Sequence, residues 1–589
     1  MSTQISDTAQ RSQKPITMRL SGALAPKLSP TVTRKPIKIK LIAFENGLVS
    51  MGLRRISSYT KQFYDDVATF FYDAEGNSAF IKNVFFQKRE NTFSMNQEFL
   101  DICAQADVVG VSCMSKWSDF VVQFIKELRD RNPNCFIVWG GAHAIMDPEH
   151  CIKHADAVCT GQEGEKIFVE LLDKMHSKES YKIPGFWFRA GDDVIRNSQS
   201  PLLTADELDA NPFQDFSDEI LYVTPDAILP TDKQTYLNVQ GTKYTTIWSI
   251  GCPFQCSYCG NTKFLANDAK YGRARYQRPE TIVTEIREIL KKYDFISFIE
   301  FQDDNFFLIQ EEDILLFAKL YKEHIGLPFF IPGIFPGLIR NEAVLDALID
   351  AGLRKVRMGI QSGSEKTLKM FKRPTSRDNI VETANILISK YPRISPPFFD
   401  IIMDIPGEDE KEKNETLSLL QSFPRPFYLY IYSLRVIPNT KLYEYSLQHP
   451  ELEFLPIQQS YGYTFDKKYS LQLHLVAIGA PKRWIDAVPG IFKKDSSLPL
   501  TLFWNLAKLV YFGKRGFNEL KIANLMPVSI IFPGLLWHLY RLRLIRKHAA
   551  LMGDRHIPKS QAHRRPRRSL AQTSNPGQSD RAASSASPQ

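Results

Sequence analysis

Cysteine is scarce in this chain, with eight residues in 589. So low a count excludes a disulfide framework as the source of stability, and it makes any close grouping of thiols stand out. A secretory signal is missing: the first 35 residues carry basic side chains but no apolar core of the secretory kind. A cytoplasmic protein with reduced thiols is therefore expected. A clean membrane span is missing too. Leu498–Tyr511 and Leu525–Ile545 are rich in apolar residues, but Pro527, Pro533, His538, Arg541 and Arg543 interrupt the second stretch. A basic groove is also absent. Residues 1–40 hold eight Lys/Arg against one acid, and residues 541–568 hold ten against one. The net charge of +9 thus belongs to the two ends, the body is mildly acidic, and nucleic acid is not the expected partner.

Against that background, Cys252, Cys256 and Cys259 fall at spacing C-x3-C-x2-C, directly after the apolar stretch Thr245–Ile250. The other cysteines, Cys103, Cys113, Cys135, Cys151 and Cys159, are scattered among apolar residues and read as small buried hydrophobes. No fourth Cys or His lies near the triplet, so a tetrahedral zinc would need a distant ligand. Three thiolates suit three irons of a [4Fe-4S] cluster and leave the fourth iron open.

Residues 37–200 alternate strand and helix patterns. Ile37–Phe44, Ala106–Met114 and Cys135–Gly141 read as strands, and Met51–Phe63 and Trp117–Arg131 as helices. In the last of these, Trp117, Phe120, Val121, Phe124, Ile125 and Leu128 share one face at 3.6-residue periodicity. Gly191-Asp192-Asp193 marks a hairpin turn. A parallel sheet covered on both sides is expected, with ligands at the carboxyl ends of its strands. Residues 201–240 read as a linker. A second βα series spans 241–440, with strands at Thr245–Ile250, Phe295–Gln302, Phe329–Phe335, Lys355–Gln361, Phe398–Ile405 and Phe427–Val436. Residues 441–550 are expected to be mainly helical and to cover the mouth of this second unit. Residues 1–36 and 551–589 are expected to be disordered.

The segment Ser249-Ile250-Gly251-Cys252-Pro253-Phe254-Gln255-Cys256-Ser257-Tyr258-Cys259 resembles the signature of radical S-adenosylmethionine (SAM) enzymes. The resemblance continues through Phe301-Gln302-Asp303-Asp304-Asn305-Phe306, Arg357–Glu365, Asp404-Ile405-Pro406-Gly407-Glu408 and Ile437-Pro438-Asn439-Thr440. The N-terminal half is similar to the cobalamin-binding domain that precedes many of these enzymes. It does so at Val109-Gly110-Val111-Ser112, Trp139-Gly140-Gly141-Ala142-His143 with Pro148-Glu149, Asp156-Ala157-Val158 and Gly161–Glu165. One departure is plain: the D-x-H-x-x-G motif that places a histidine under cobalt is missing, and Glu45-Asn46-Gly47 stands in its place.

The resemblance implies an α/β chain, in which a Rossmann-like cobalamin-binding domain precedes a partial βα barrel and a helical C-terminal region. It implies a [4Fe-4S] cluster on Cys252, Cys256 and Cys259, with SAM cleaved reductively to a 5′-deoxyadenosyl radical. Tyr258, Asp303, Gln361 and Ser362 are the implied SAM-side residues; Asp303 and Asp304 could equally cap a turn. Ser112, Gly140, Gly141 and His143 are the implied cobalamin-side residues, with His143 read as a polar loop residue rather than a cobalt ligand. Methylation of an unactivated carbon of a small or lipid-like substrate is the leading expectation, with an electron donor such as flavodoxin or ferredoxin. Cyclisation or oxidation with the same cofactors, a cofactor-free flavodoxin-like N-terminal module, and a non-catalytic Fe–S or zinc module remain open alternatives. For Leu525–Ile545 two readings also stay open, a core helix under a solvated tail or an interfacial helix whose basic flank suits an anionic bilayer.

Overall fold

The computed structural model describes residues 36–75, 94–175, 177–457, 464–494, 497–532 and 534–545. Apart from Pro36, the ends expected to be disordered lie outside these residues. The first sheet has nine strands: β1 (Ile39–Phe44), β2 (Val67–Tyr72), β3 (Val108–Cys113), β4 (Phe136–Gly140), β5 (Ala157–Cys159), β6 (Phe186–Ala190), β7 (Asp193–Arg196), β8 (Ile220–Thr224) and β9 (Ala227–Pro230). Their order is β7-β6-β5-β4-β3-β1-β2-β8-β9. The central strands pair in parallel, with Ile39 opposite both Val67 and Val108. β6 and β7 form the expected antiparallel hairpin. These central strands are apolar on both faces because helices cover both sides. The helix Ser118–Arg131 buries Phe120, Val121, Phe124, Ile125 and Leu128, while Trp117 sits buried in the turn just before it. Phe124 meets Phe44 of β1 at a centroid distance of 5.0 Å.

Residues 201–240 are not a linker. They supply the helix Ala205–Ala210 and the helix Lys233–Gln240, and strands β8 and β9 extend the first sheet, with Thr69 of β2 opposite Ile220. The short run Ile-Leu-Tyr-Val-Thr is strand-forming, but polar and proline-containing flanks hide it. Those flanks are anchors. The Asp215 carboxylate accepts from Ser57 Oγ at 2.6 Å and pairs with Lys61 Nζ at 3.0 Å. The Arg54 guanidinium, only 1% exposed, donates to Leu48 O at 2.9 Å and Asp215 O at 2.6 Å, and lies 4.1 Å from the Phe216 ring centroid.

The second sheet has six parallel strands in sequential order: β10 (Lys243–Thr246), then β13 (Phe298–Phe301), β14 (Phe329–Ile334), β15 (Leu353–Gln361), β16 (Phe398–Met403) and β17 (Tyr428–Ser433). β10 and β17 are its edges, which makes it a partial barrel. The strand expected over Thr245–Ile250 is broken. β10 stops at Thr246, and β11 (Ser249–Ile250) leaves the sheet to pair antiparallel with β12 (Arg275–Tyr276).

The C-terminal region is helical, as expected, and among the described residues only its first part lies at the mouth: Leu442 N donates to Ser257 O at 2.9 Å, and Thr464 Oγ1 and Phe465 N donate to Asp404 at the end of β16. Helices Lys467–Ile478 and Leu498–Lys521 lie along the β17 edge and continue across the amino-terminal ends of the strands. There Glu519 pairs with Lys355 in a buried ion pair, and Ser297 Oγ donates to Ala523 O at 2.7 Å. The physical cause is twofold: β17 is an open edge, and Lys355 at the amino-terminal end of β15 would otherwise be a buried charge without a partner.

If Arg54 holds residues 211–219 against the first sheet, Arg54→Met should leave buried carbonyls without a donor. The expected loss is about 3 kcal/mol, read as an earlier first transition in thermal unfolding followed by circular dichroism.

Candidate active site

The cysteine loop springs from β11 at Gly251, whose φ is +121°. A Cβ there would lie 2.5 Å from Arg273 O and 2.7 Å from Tyr271 O, so only glycine allows the chain to pass. The loop has little regular structure of its own and is held from outside. Two neighbouring carboxylates at the end of β13 do most of this. Asp303 accepts from Trp248 N at 2.9 Å, Ser249 N at 3.1 Å and Ser249 Oγ at 2.7 Å. Asp304 accepts from Gly251 N, Asn261 Nδ2 and Tyr271 Oη, each at 2.8 Å. Burial pushes the Asp303 carboxyl up to about 7 against the effect of its donors. Asp303 therefore neither caps a turn nor faces open space; it draws the chain out of the sheet at Trp248 and so breaks the expected strand.

Cys252 and Cys256 are buried and Cys259 is half-buried. Burial pushes the thiols of Cys252 and Cys259 up, to about 11 and about 12. Thiols so placed are poor thiolates by themselves and become stable ones on a metal. The five other cysteines all belong to the first-sheet domain. The donor set therefore fits a [4Fe-4S] cluster bound by three cysteines.

Around the loop, Tyr258 is anchored inward. Its ring meets Phe371 edge-on at 4.8 Å, and its hydroxyl accepts from Arg373 Nη1 at 3.2 Å. Arg373 gave no local signal in the sequence, because the fold brings it 117 residues along the chain to Cys256. Its Nη1 lies 3.8 Å from Cys256 Sγ, it donates to Gly359 O, and it stacks 4.3 Å over Phe335. Phe335 in turn stacks on Phe254 of the loop at 3.8 Å. Gln361 closes β15 with a φ of +74°. Ser362, its neighbour, turns away: its hydroxyl accepts from Ser364 N at 3.1 Å and meets Thr416 Oγ1 at 3.2 Å. That places Ser362 between the start of the helix Glu365–Met370 and the helix Glu410–Ser422 rather than at the loop.

On the first sheet, Ser112 and Gly140 stand opposite each other at the carboxyl ends of β3 and β4. Gly141 follows with a φ of +81°, and a Cβ there would collide with Ser112 Oγ. Met114, just beyond, is 56% exposed at the same edge. At the end of β1, burial pushes Glu45 up to about 7 against its hydrogen bonds with Ser50, and its Oε1 is enclosed with no hydrogen-bond partner among the described residues. A bare glycine edge with an orphaned carboxyl oxygen fits a flat ligand that carries amide donors, as cobalamin does. His143 is not on this edge. It is buried, with Nδ1 3.1 Å from Ser115 Oγ and Nε2 3.0 Å from His150 Nδ1. Burial pushes it down to about 4.

This edge faces the cysteine loop. Gln162 Nε2 donates to Phe264 O at 2.7 Å, Asn439 Nδ2 donates to Met146 O at 2.8 Å, and Glu163 pairs with Arg275. A Cβ on Gly260, next to Cys259, would meet Met146 Sδ at 3.5 Å.

Comparison with known proteins agrees with both halves. Residues 246–420 match the radical SAM superfamily model, and residues 92–172 match the B12 binding domain model. An uncharacterized methyltransferase of Pyrococcus horikoshii is 25% identical over 349 residues, 58% of this chain and 69% of that protein. Cytidylyl-2-hydroxyethylphosphonate methyltransferase of Streptomyces wedmorensis is 24% identical, over 66% of this chain and 73% of its own. The radical SAM methyltransferase TsrM of Kitasatospora setae has a similar fold, with a TM-score of 0.52 at 15% identity over 71% of this chain and 78% of its own. The cobalamin-dependent SAM radical enzyme OxsB gives 0.53 at 14% identity over 87% and 75%.

Two outcomes test this geometry. Asp304→Ala removes three donors' common acceptor while leaving every cysteine in place. Iron affinity on anaerobic reconstitution should fall by about ten- to a hundredfold, measured as iron and sulfide per protein. Because both nitrogens of His143 face protein groups, the electron paramagnetic resonance spectrum of bound cobalt(II) cobalamin should lack imidazole nitrogen splitting and be unchanged in His143→Ala.

Proposed function

Because the chain is a cobalamin-dependent radical SAM enzyme, with a B12-binding domain ahead of a radical SAM domain and hence a [4Fe-4S] cluster, SAM and cobalamin as its cofactors, we propose that it transfers a methyl group to an unactivated carbon of a small or lipid-like molecule. The observation that supports this reading is the opposition of the two cofactor edges. Met146, which closes the Gly140–Met146 segment, meets the cysteine loop at Gly260 and the turn beyond β17 at Asn439. When bound, the cluster and SAM supply hydrogen-atom abstraction, and cobalamin supplies the methyl group.

The chain's own residues position and exclude. Asp303 and Asp304 fix the thiols. Arg373 holds Tyr258 against the loop and stacks on Phe335. Gln361 presents an amide that no protein group among the described residues takes up, and that amide is suited to a hydroxyl or amine of SAM. Ser112, Gly140 and Gly141 give backbone access to the corrin side. An external one-electron donor of the flavodoxin or ferredoxin type is part of the proposal, since each reductive cleavage of SAM consumes one electron.

The test is product mass. Reconstituted enzyme should add one CH2 to its substrate and release both 5′-deoxyadenosine and S-adenosylhomocysteine. The variant with Cys252, Cys256 and Cys259 all changed to Ala should form neither. A product of unchanged or lower mass, with 5′-deoxyadenosine formed, would instead favour cyclisation or oxidation.

A further inference from the structure

A surface helix normally turns its polar side outward. The helix Leu498–Lys521 does the reverse. Its inner face buries Leu500, Trp504, Tyr511 and three polar residues, Lys508, Asn518 and Glu519. Its outer face carries Leu502, Phe503, Leu506, Leu509 and Phe517, each between 56% and 63% exposed. At 100° per residue, positions 502, 503, 506, 509 and 517 fall within an arc of about 120°, so these side chains share one side of a helix about 36 Å long. Neither Asp, Glu, Lys nor Arg falls on the stripe. Lys514 and Lys521 flank it, and Lys493 and Lys494 precede it, all exposed. The neighbouring helix Lys482–Ile491 adds exposed Trp484 and Ile491 beside Lys482 and Arg483.

The same pattern continues downstream. Ile531 and Phe532 are exposed, and so are all four residues of Arg541-Leu542-Arg543-Leu544, just before the buried Ile545 that ends the described chain. The sequence beyond keeps this charge: residues 541–568 hold ten Lys/Arg against one acid. Among the described residues no helix is long and apolar enough to cross a membrane. An apolar stripe of this length, rimmed and followed by cations, has the chemistry of an in-plane interfacial helix.

We propose that the outer face of Leu498–Lys521 docks onto an anionic lipid surface, with the stripe entering the headgroup boundary and the exposed lysines that flank it meeting the lipid charge. Charge complementarity selects this occupant: a second copy of the chain would bring the same cations to the same face. The proposal is independent of whether the enzyme methylates.

The experiment uses full-length reconstituted protein and vesicle sedimentation. Vesicles of phosphatidylcholine alone are compared with phosphatidylcholine vesicles containing phosphatidylglycerol. The variant carries Leu502→Ser, Leu506→Ser and Leu509→Ser, all outside the cofactor sites; iron content and 5′-deoxyadenosine formation in solution confirm its integrity. Expected are binding to the anionic vesicles, release at high salt, and about tenfold weaker partitioning of the variant. Three results would overturn the proposal. The wild type could stay in the supernatant at low salt. The variant could bind as well as the wild type, which would assign binding to the basic run alone. The wild type could be a dimer that the variant converts to monomer with no vesicle binding by either, which would make the stripe a contact between copies.

Discussion

Two adjacent carboxylates at the end of β13 organise the cysteine loop. A segment that must present three thiols to one point cannot also satisfy its own backbone in a helix or a sheet, so its amides need acceptors from elsewhere. Asp303 takes those of Trp248 and Ser249, and Asp304 takes that of Gly251 together with Asn261 and Tyr271. The break in the strand after Thr246, the short β11–β12 ribbon and the glycine at 251 all follow from this grip. Backbone hydrogen bonds to a carboxylate are strong and directional, so the loop is placed before any metal arrives.

A second constraint is that two sheets must meet at their functional ends. The segment between them does this by being structured. Gln214 Nε2 donates to Glu285 Oε1 at 3.1 Å, and Arg55 pairs with the same Glu285 at 3.1 Å, so the helix Pro279–Lys292 of the second unit is tied to the first sheet and to the segment joining them. Polar pairs of this kind fix register where apolar packing alone would permit sliding. The glycine edge and the cysteine loop are therefore opposed by contacts made far behind them.

The sequence carried the two sheets and the cysteine loop clearly, since apolar runs and close thiols are local signals. It misled where the deciding contact was remote. The polar flanks of Ile220–Thr224 look like a tether until Asp215 is seen to hold Ser57 and Lys61. Thr245–Ile250 looks like one strand until Asp303 bends it. Ser362 and His143 have the right chemistry for a site, but their hydrogen bonds run to Thr416, Ser115 and His150, away from it. Arg373 lacks any motif and is still the cation beside Cys256. The C-terminal helices were expected over the mouth, but the long helix Leu498–Lys521 answers to the β17 edge and to Lys355, neither of which is near it in the chain.

Backbone strain marks the rim of the barrel. Gln361, Asp404 and Asn439 all adopt positive φ without being glycine, at or just beyond the carboxyl ends of β15, β16 and β17. Such conformations are costly for L-residues and persist only where the surroundings hold them. Asp404 is held by Thr464 Oγ1 and by the amides of Phe465 and Asp466, which start the helix Lys467–Ile478. Asn439 is held by its bond to Met146 O. The strained turns thus serve as attachment points, one to the helices that close the barrel edge and one to the glycine edge of the first sheet. Gln361 takes a different course: its amide lies back over Gly359 of the same strand, with Nε2 2.6 Å and Arg373 Nη2 3.1 Å from where a Cβ on Gly359 would stand, so the glycine is what leaves room for this turn.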